Sequence, residues 1–134
     1  MCGIAGILSL RGESVSPVIL KSMTDAIAHR GPDGEGHWIE EGVGFGHRRL
    51  AIIDLSPMAH QPMMSRDNRF VLSYNGEIYN FRELRTELEA MGYPFRSQSD
   101  SEVLLTAWAA WGVKSLDRLN GMFAFAIWDR SEKT

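Results

Sequence analysis

MCGIAGIL, residues 1–8, is the stretch on which the reading of the fold turns. Residues 2–8 are an almost unbroken apolar run, the pattern of a buried strand, and the strand opens at once behind Met1. It also carries the chain's only cysteine, at the second position. Chain ends are frayed as a rule, which makes a packing role there an odd one, although free cysteines are commonly small buried hydrophobes. The other reading depends on removal of Met1. Cys2 would then hold a thiol and a free α-amino group on one residue. Such an amine titrates near about 7.7–8.0, and a nucleophile paired with the chain's own terminal amine is a known mode of activation. Gly3 and Gly6 on either side would allow close approach of backbone or substrate.

Composition sets the frame for that strand. The 134 residues amount to one domain, and 44% hydrophobic with 23% charged residues is ordinary globular usage. Fourteen Lys and Arg against 17 Asp and Glu give a net charge of −3. The densest basic cluster, His47-Arg48-Arg49, is flanked by apolar residues. Nucleic acid and anionic membrane are therefore poor candidates as main partners. One cysteine forms no internal disulfide, which suits a reducing cytoplasm, and CGIAGILSL lacks the basic residues of a signal peptide. No run approaches the length of a membrane span.

Working outward, Ser16-Pro17 reads as a helix cap with proline in the first turn, and Ile19, Leu20, Met23, Ala26 and Ile27 recur at helical spacing to about Ala28. RGPDGEG (30–36) breaks the pattern as a multi-turn loop. GHWIE and VGFGHRRLAIIDL (43–55) read as strands joined at Glu41-Gly42. RFVLSY (69–74) is another strand, running into a turn at NGEIYN (75–80). Residues 80–91 form a helix with Leu84, Leu88 and Met91 on one face and Gly92 as its stop. Ser99 and Glu102 make a capping box that opens a helix through Trp111. GMFAFAIWD (121–129) is apolar enough for a strand buried on both faces. RSEKT then reads as a turn leaving that strand, which suggests a fragment of a longer protein whose return strand is absent.

Further residues admit two readings each. Asn75-Gly76 is a common turn pair, yet an Asn amide beside a Gly N–H also offers the two donors of an oxyanion hole. Arg49 is either a solvated strand arginine or a planar fork for a carboxylate. Asp100 belongs to the capping region or pairs with a substrate ammonium. His29, His37, His47 and His60 show no metal spacing, so no metal site is expected, but one of them could serve Cys2 as a base. GVGFG (42–46) lies in a hairpin and is not the dinucleotide fingerprint. Trp108 and Trp111 are most simply core.

Taken together, MCGIAGI, HRGPDGEG, GHRRLAIIDLS, YNGEIYNF, SDSEV and GMFAFAIWD resemble the N-terminal, class II glutamine amidotransferase domain of glutamine-hydrolysing asparagine synthetases. The resemblance runs from Cys2 to Asp129 with the blocks in the family's order. It implies an α+β, N-terminal-nucleophile hydrolase fold: an αββα sandwich of two stacked antiparallel sheets, here C-terminally incomplete. Residues 1–134 would be a fragment of that domain with Met1 removed, lacking its final strands and the synthetase domain.

The resemblance also implies roles. Cys2 matches the nucleophile and its α-amine the general base; Asn75 and Gly76 match the oxyanion hole. Arg49 matches the grip on the substrate α-carboxylate and Asp100 the hold on its α-ammonium. Glu77 and backbone groups of Leu50, Ile52 and Ile53 match the rest of the glutamine pocket. The implied reaction hydrolyses glutamine to glutamate and ammonia in the cytoplasm, with no cofactor in this domain. ATP and Mg²⁺ are expected only in the synthetase domain, the partner that would turn aspartate into asparagine, and a homodimer is compatible with the family. The alternatives are a non-catalytic fragment that binds glutamine or a partner, and the amidotransferase half of a relative with another carboxylate acceptor.

Overall fold

The computed structural model describes residues 1–134. Two three-stranded antiparallel sheets lie face to face. The first has the order β1 (Gly3–Leu8), β3 (Val43–Arg49), β2 (Gly34–Glu40). The second has the order β4 (Met63–Met64), β5 (Phe70–Ile78), β6 (Gly121–Asp129). Helix α1 (Pro17–Ala26) covers the outer face of the first sheet, and α3 (Asp100–Trp111), with α2 (Phe81–Ala90) against it, covers that of the second. This is the expected four-layer αββα sandwich.

Local chemistry sets the helix ends. Ser16 Oγ accepts from the Ile19 N–H, with Pro17 in the first turn. Gly92 (φ 93°) and Gly112 (φ 58°) take the left-handed conformations that end α2 and α3. The capping box at α3 is only half built. Ser99 Oγ accepts from the Glu102 N–H at 3.2 Å, but the Glu102 carboxylate turns to the N–H groups of Arg96 and Ser97. Leu84 and Leu88 are buried as expected, whereas Met91 lies exposed past the end of α2.

Two apolar clusters hold the layers. The larger joins β5 to the helices through Leu72, Tyr74, Ile78, Leu84, Leu88 and Leu104, and Trp108 and Trp111 pack against it. The smaller lies between the sheets and consists of Val43, Phe45, Val71 and Trp128.

Five of the six strands differ from expectation. β2 begins at Gly34, inside the stretch RGPDGEG read as a loop, because its residues pair with β3 from Gly34↔Arg49 onward. The two-residue β4, paired with Val71 and Leu72 of β5, carries no signal in the sequence. β3 ends at Arg49 rather than Leu55, because the groups that follow are taken up locally: the Ala51 N–H donates to Asp33 Oδ2 and the Leu50 N–H to Cys2 Sγ. β5 does not turn at Asn75 but continues to Ile78, since β6 pairs with it residue for residue from Phe70↔Asp129 to Ile78↔Gly121. β6 is not buried on both faces. It is the edge strand of its sheet, with Phe123, Phe125 and Ile127 turned to the helices and Met122, Ala124 and Ala126 exposed on the opposite face.

Candidate active site

The inner face of β3 bears Val43, Phe45, His47 and Arg49 in sequence, and the inner face of β5 bears Val71, Ser73, Asn75 and Glu77. Both therefore run from apolar to polar along the same gap. At the polar end a cleft opens, lined by Cys2, Arg49, Leu50, Ile52, Ile53, Asn75, Gly76, Glu77 and Asp100. Every site residue named from the sequence thus lies in one cavity, although those residues come from the position just before β1, the end of β3 and the loop after it, β5 and the first turn of α3.

Cys2 is half-buried at the head of β1. Its Sγ accepts from the Leu50 N–H at 3.3 Å and lies 3.6 Å from the Leu50 carbonyl. The Cys2 carbonyl accepts from Arg30 Nε at 3.0 Å. Met1 is 68% exposed at the rim of the cleft and open to an aminopeptidase.

Arg49 is only 7% exposed, so the solvated reading is excluded. Its guanidinium donates to the Ser56 carbonyl at 3.0 Å and to the Asp54 carbonyl, which aims the planar group along the wall of the cleft. Asp54 shapes the same loop by accepting from the Ser56 and Gln98 N–H groups. Burial alone would raise this carboxyl, but those hydrogen bonds outweigh it and hold the Asp54 pKa below its ordinary value.

Strand alternation sets the direction of β5's backbone groups. Even-numbered residues turn theirs away from β6: the Tyr74 N–H donates to Gln61 Oε1, the Tyr74 carbonyl accepts from His47 Nε2, and the Ile78 N–H donates to Asp100 Oδ2. Gly76 lies between these and belongs to the same set, so its N–H faces the cleft beside the Asn75 side chain. No larger residue fits there. A Cβ on Gly76 would stand 2.4 Å from the Met122 carbonyl oxygen and 2.5 Å from Phe123 Cα. Gly6 is less constrained, with nothing nearer than 3.5 Å to its hypothetical Cβ.

No histidine lines this cleft. His47 is fully buried behind it with Nε2 on the Tyr74 carbonyl, and its pKa is pushed down to about 4, chiefly by burial, with the Arg49 and His60 charges acting in the same direction. His37 contacts Thr24, and His29 and His60 are exposed. A cysteine–histidine dyad has no partner here. Sequence reasoning missed Tyr74, Gln61, Asp33 and Asp54. Each acts through a residue distant in sequence, and no spacing signal marks such pairs.

Two stacked antiparallel sheets between helical layers, with a cysteine at the head of the first strand opening on a cleft, define an N-terminal-nucleophile hydrolase fold. The chain belongs to the glutamine amidotransferase domain family, whose model matches residues 1–134. It is 43% identical to asparagine synthetase [glutamine-hydrolyzing] 1 of Bacillus subtilis over 98% of its length, and covers 21% of that protein. It is 36% identical to amidase chry2 of Gibberella zeae over 99% of its length, covering 22%. The chain thus spans about a fifth of the length of these relatives. Among solved structures, a glutamine phosphoribosylpyrophosphate amidotransferase from B. subtilis superposes with a TM-score of 0.79 over 96% of this chain and 35% of that one. At 23% identity, that likeness speaks for the fold.

Proposed function

We propose that this domain hydrolyses glutamine with Cys2 as nucleophile and, once Met1 is removed, the Cys2 α-amine as base. The carrying observation is that one cleft is lined by Cys2, Asn75, Gly76, Arg49 and Asp100 together. Glutamine has a neutral amide at one end and a carboxylate and ammonium at the other, so each of its polar groups has a counterpart. Arg49 takes the carboxylate, Asp100 the ammonium, and Glu77 with the Leu50, Ile52 and Ile53 backbone completes the pocket.

In the proposed sequence the α-amine accepts the thiol proton as Sγ bonds to the amide carbon, and the carbonyl oxygen becomes an oxyanion between Asn75 and Gly76. The amine then gives its proton to the departing nitrogen, the C–N bond breaks, and ammonia leaves behind a thioester. Water adds to that carbonyl with its proton going to the amine. The C–S bond breaks, sulfur regains a proton, and glutamate is released. No cofactor enters this sequence.

In a longer protein like its asparagine synthetase relatives, the ammonia would pass to a synthetase part; we propose aspartate as the acceptor there, ATP and Mg²⁺ as that part's requirements, and the cytoplasm as its location. The alternative reading has another carboxylate acceptor in place of aspartate. Supplying the full-length protein with ATP, glutamine and aspartate, and assaying asparagine, separates the two.

Treating the chain with a diazo-ketone analogue of glutamine and recording intact mass tests the hydrolytic reading. A single adduct on Met1-less Cys2, suppressed by excess glutamine, is expected. A chain with one residue retained before Cys2 should release ammonia at least about 100-fold more slowly, since general base catalysis contributes on that scale. Undiminished release from that chain would overturn the role of the amine.

A further inference from the structure

Asp100 is 5% exposed, and none of the molecule's ion pairs includes it. A buried carboxylate without a cation is costly unless its oxygens are otherwise engaged. Only one of them is. Oδ2 accepts from Tyr74 Oη at 2.6 Å and from the Ile78 N–H at 3.1 Å. Oδ1 has no protein partner, and the residue lines the cleft. The two donors sit on β5 on either side of Asn75-Gly76-Glu77, so the same strand segment that presents the amide donors also orients the carboxylate.

Tyr74 is itself immobilised at every polar group. Its N–H donates to Gln61 Oε1 at 2.6 Å, its carbonyl accepts from His47 Nε2 at 2.9 Å, and its hydroxyl has Asp100. Gln61 and His47 are both buried, and Gln61 Nε2 donates to Ser101 Oγ, next to Asp100 in α3. Burial and the Asp100 charge raise the Tyr74 pKa, which keeps the hydroxyl a donor.

We propose that Tyr74 is a specificity-determining positioning residue: its hydroxyl fixes the Asp100 carboxylate so that Oδ1 meets the α-ammonium of an amide substrate. The proposal rests on the glutaminase reading above and assigns Tyr74 no contact with the reacting amide.

The test compares kcat/KM for glutamine with that for glutaramate, which keeps the amide and carboxylate but lacks the ammonium. It is made on the full chain with Met1 removed. Tyr74→Phe keeps the ring in its apolar surroundings and deletes only the donor. The glutamine-to-glutaramate ratio is expected to fall on the order of tenfold, mostly through KM for glutamine, as loss of one hydrogen bond to a charged group does. Asp100→Asn should collapse the ratio further. If the ratio collapses in Asp100→Asn but is unmoved in Tyr74→Phe, Tyr74 does not set the carboxylate and the proposal falls. A ratio unmoved in both would instead overturn the assignment of Asp100 to the ammonium. Should Tyr74→Phe fail to fold, Tyr74→Met, whose flexible side chain refills the space, carries the same comparison.

Discussion

Arg49 shows how a single side chain is held in place for the carboxylate grip proposed for it. Two of its N–H groups are engaged by the Ser56 and Asp54 carbonyls, so the plane and reach of the guanidinium are fixed before any ligand arrives. Preorganisation of this kind reduces the ordering cost of binding. A lysine at this position keeps the charge but not the fork, and one ammonium cannot satisfy both carbonyls and a carboxylate in plane. Arg49→Lys is therefore expected to raise KM for glutamine about 10- to 100-fold, the scale of one or more hydrogen bonds to a charged group. Steady-state ammonia release measures it, and a KM unchanged in the folded variant would show that the carboxylate binds elsewhere. Arg49 was legible in the sequence only as a choice between water and pocket. What decided for the pocket was the loop at 50–56, whose folding around the guanidinium no local pattern announces.

At the scale of elements, β5 is the instructive case. Asn75-Gly76 reads as a turn because both residues favour turns, and the local signal is sound as far as it goes. The nine-residue pairing with β6 overrides it, and Gly76 is required by the close approach of the β6 backbone rather than by a turn conformation. The run RRLAIIDL misleads in the opposite sense, since its apolar residues face the cleft and solvent from a loop. Strand β1, all three helices and the β2–β3 hairpin were legible, because their period and caps are local. The link between β3 and β5 was not. His47 crosses the gap between the sheets to the Tyr74 carbonyl, and its other nitrogen, Nδ1, is buried without a partner.

This link has a pH signature. In the unfolded chain His47 takes up its proton as pH falls through about 6.5, whereas in the fold burial holds its pKa near about 4. The unfolded state thus binds more protons in that interval, so stability is intact above pH ~6.5 and declines as pH drops toward ~4. Between pH 7 and 5 the loss from this group is on the order of 2 kcal/mol. His47→Gln retains an N–H for the Tyr74 carbonyl and does not titrate, so urea unfolding of this variant should show a smaller difference between the two pH values. Parallel declines in both proteins would mean that His47 is not the titrating group.

For the whole molecule, the ordering of chemistry between the sheets is the feature that combines fold with function. One end is sealed by Val43, Phe45, Val71 and Trp128, the middle is bridged by the His47 and Ser73 hydrogen bonds, and the other end is left as the cleft. Adhesion and binding are thus assigned to opposite ends of the same strands. Val71, beside Trp128, and Asn75, at the cleft, are four residues apart on β5, a separation of about 13 Å at the strand rise. Effects at sites that far apart usually add independently. Trp128 is 9% exposed and fills the sealed end, so Trp128→Ala should lower the unfolding free energy by about 3–5 kcal/mol, the cost of emptying a large aromatic site. Under conditions where the variant remains folded, KM for glutamine should stay within about twofold of the parent value if the two ends act independently. Measured together by urea titration and ammonia release, a stability loss with a constant KM supports the division. A KM that rises in step with the lost stability would show that the spacing of the sheets at Trp128 is transmitted along β5 to Asn75 and Gly76, and that the sealed end sets the geometry of the cleft.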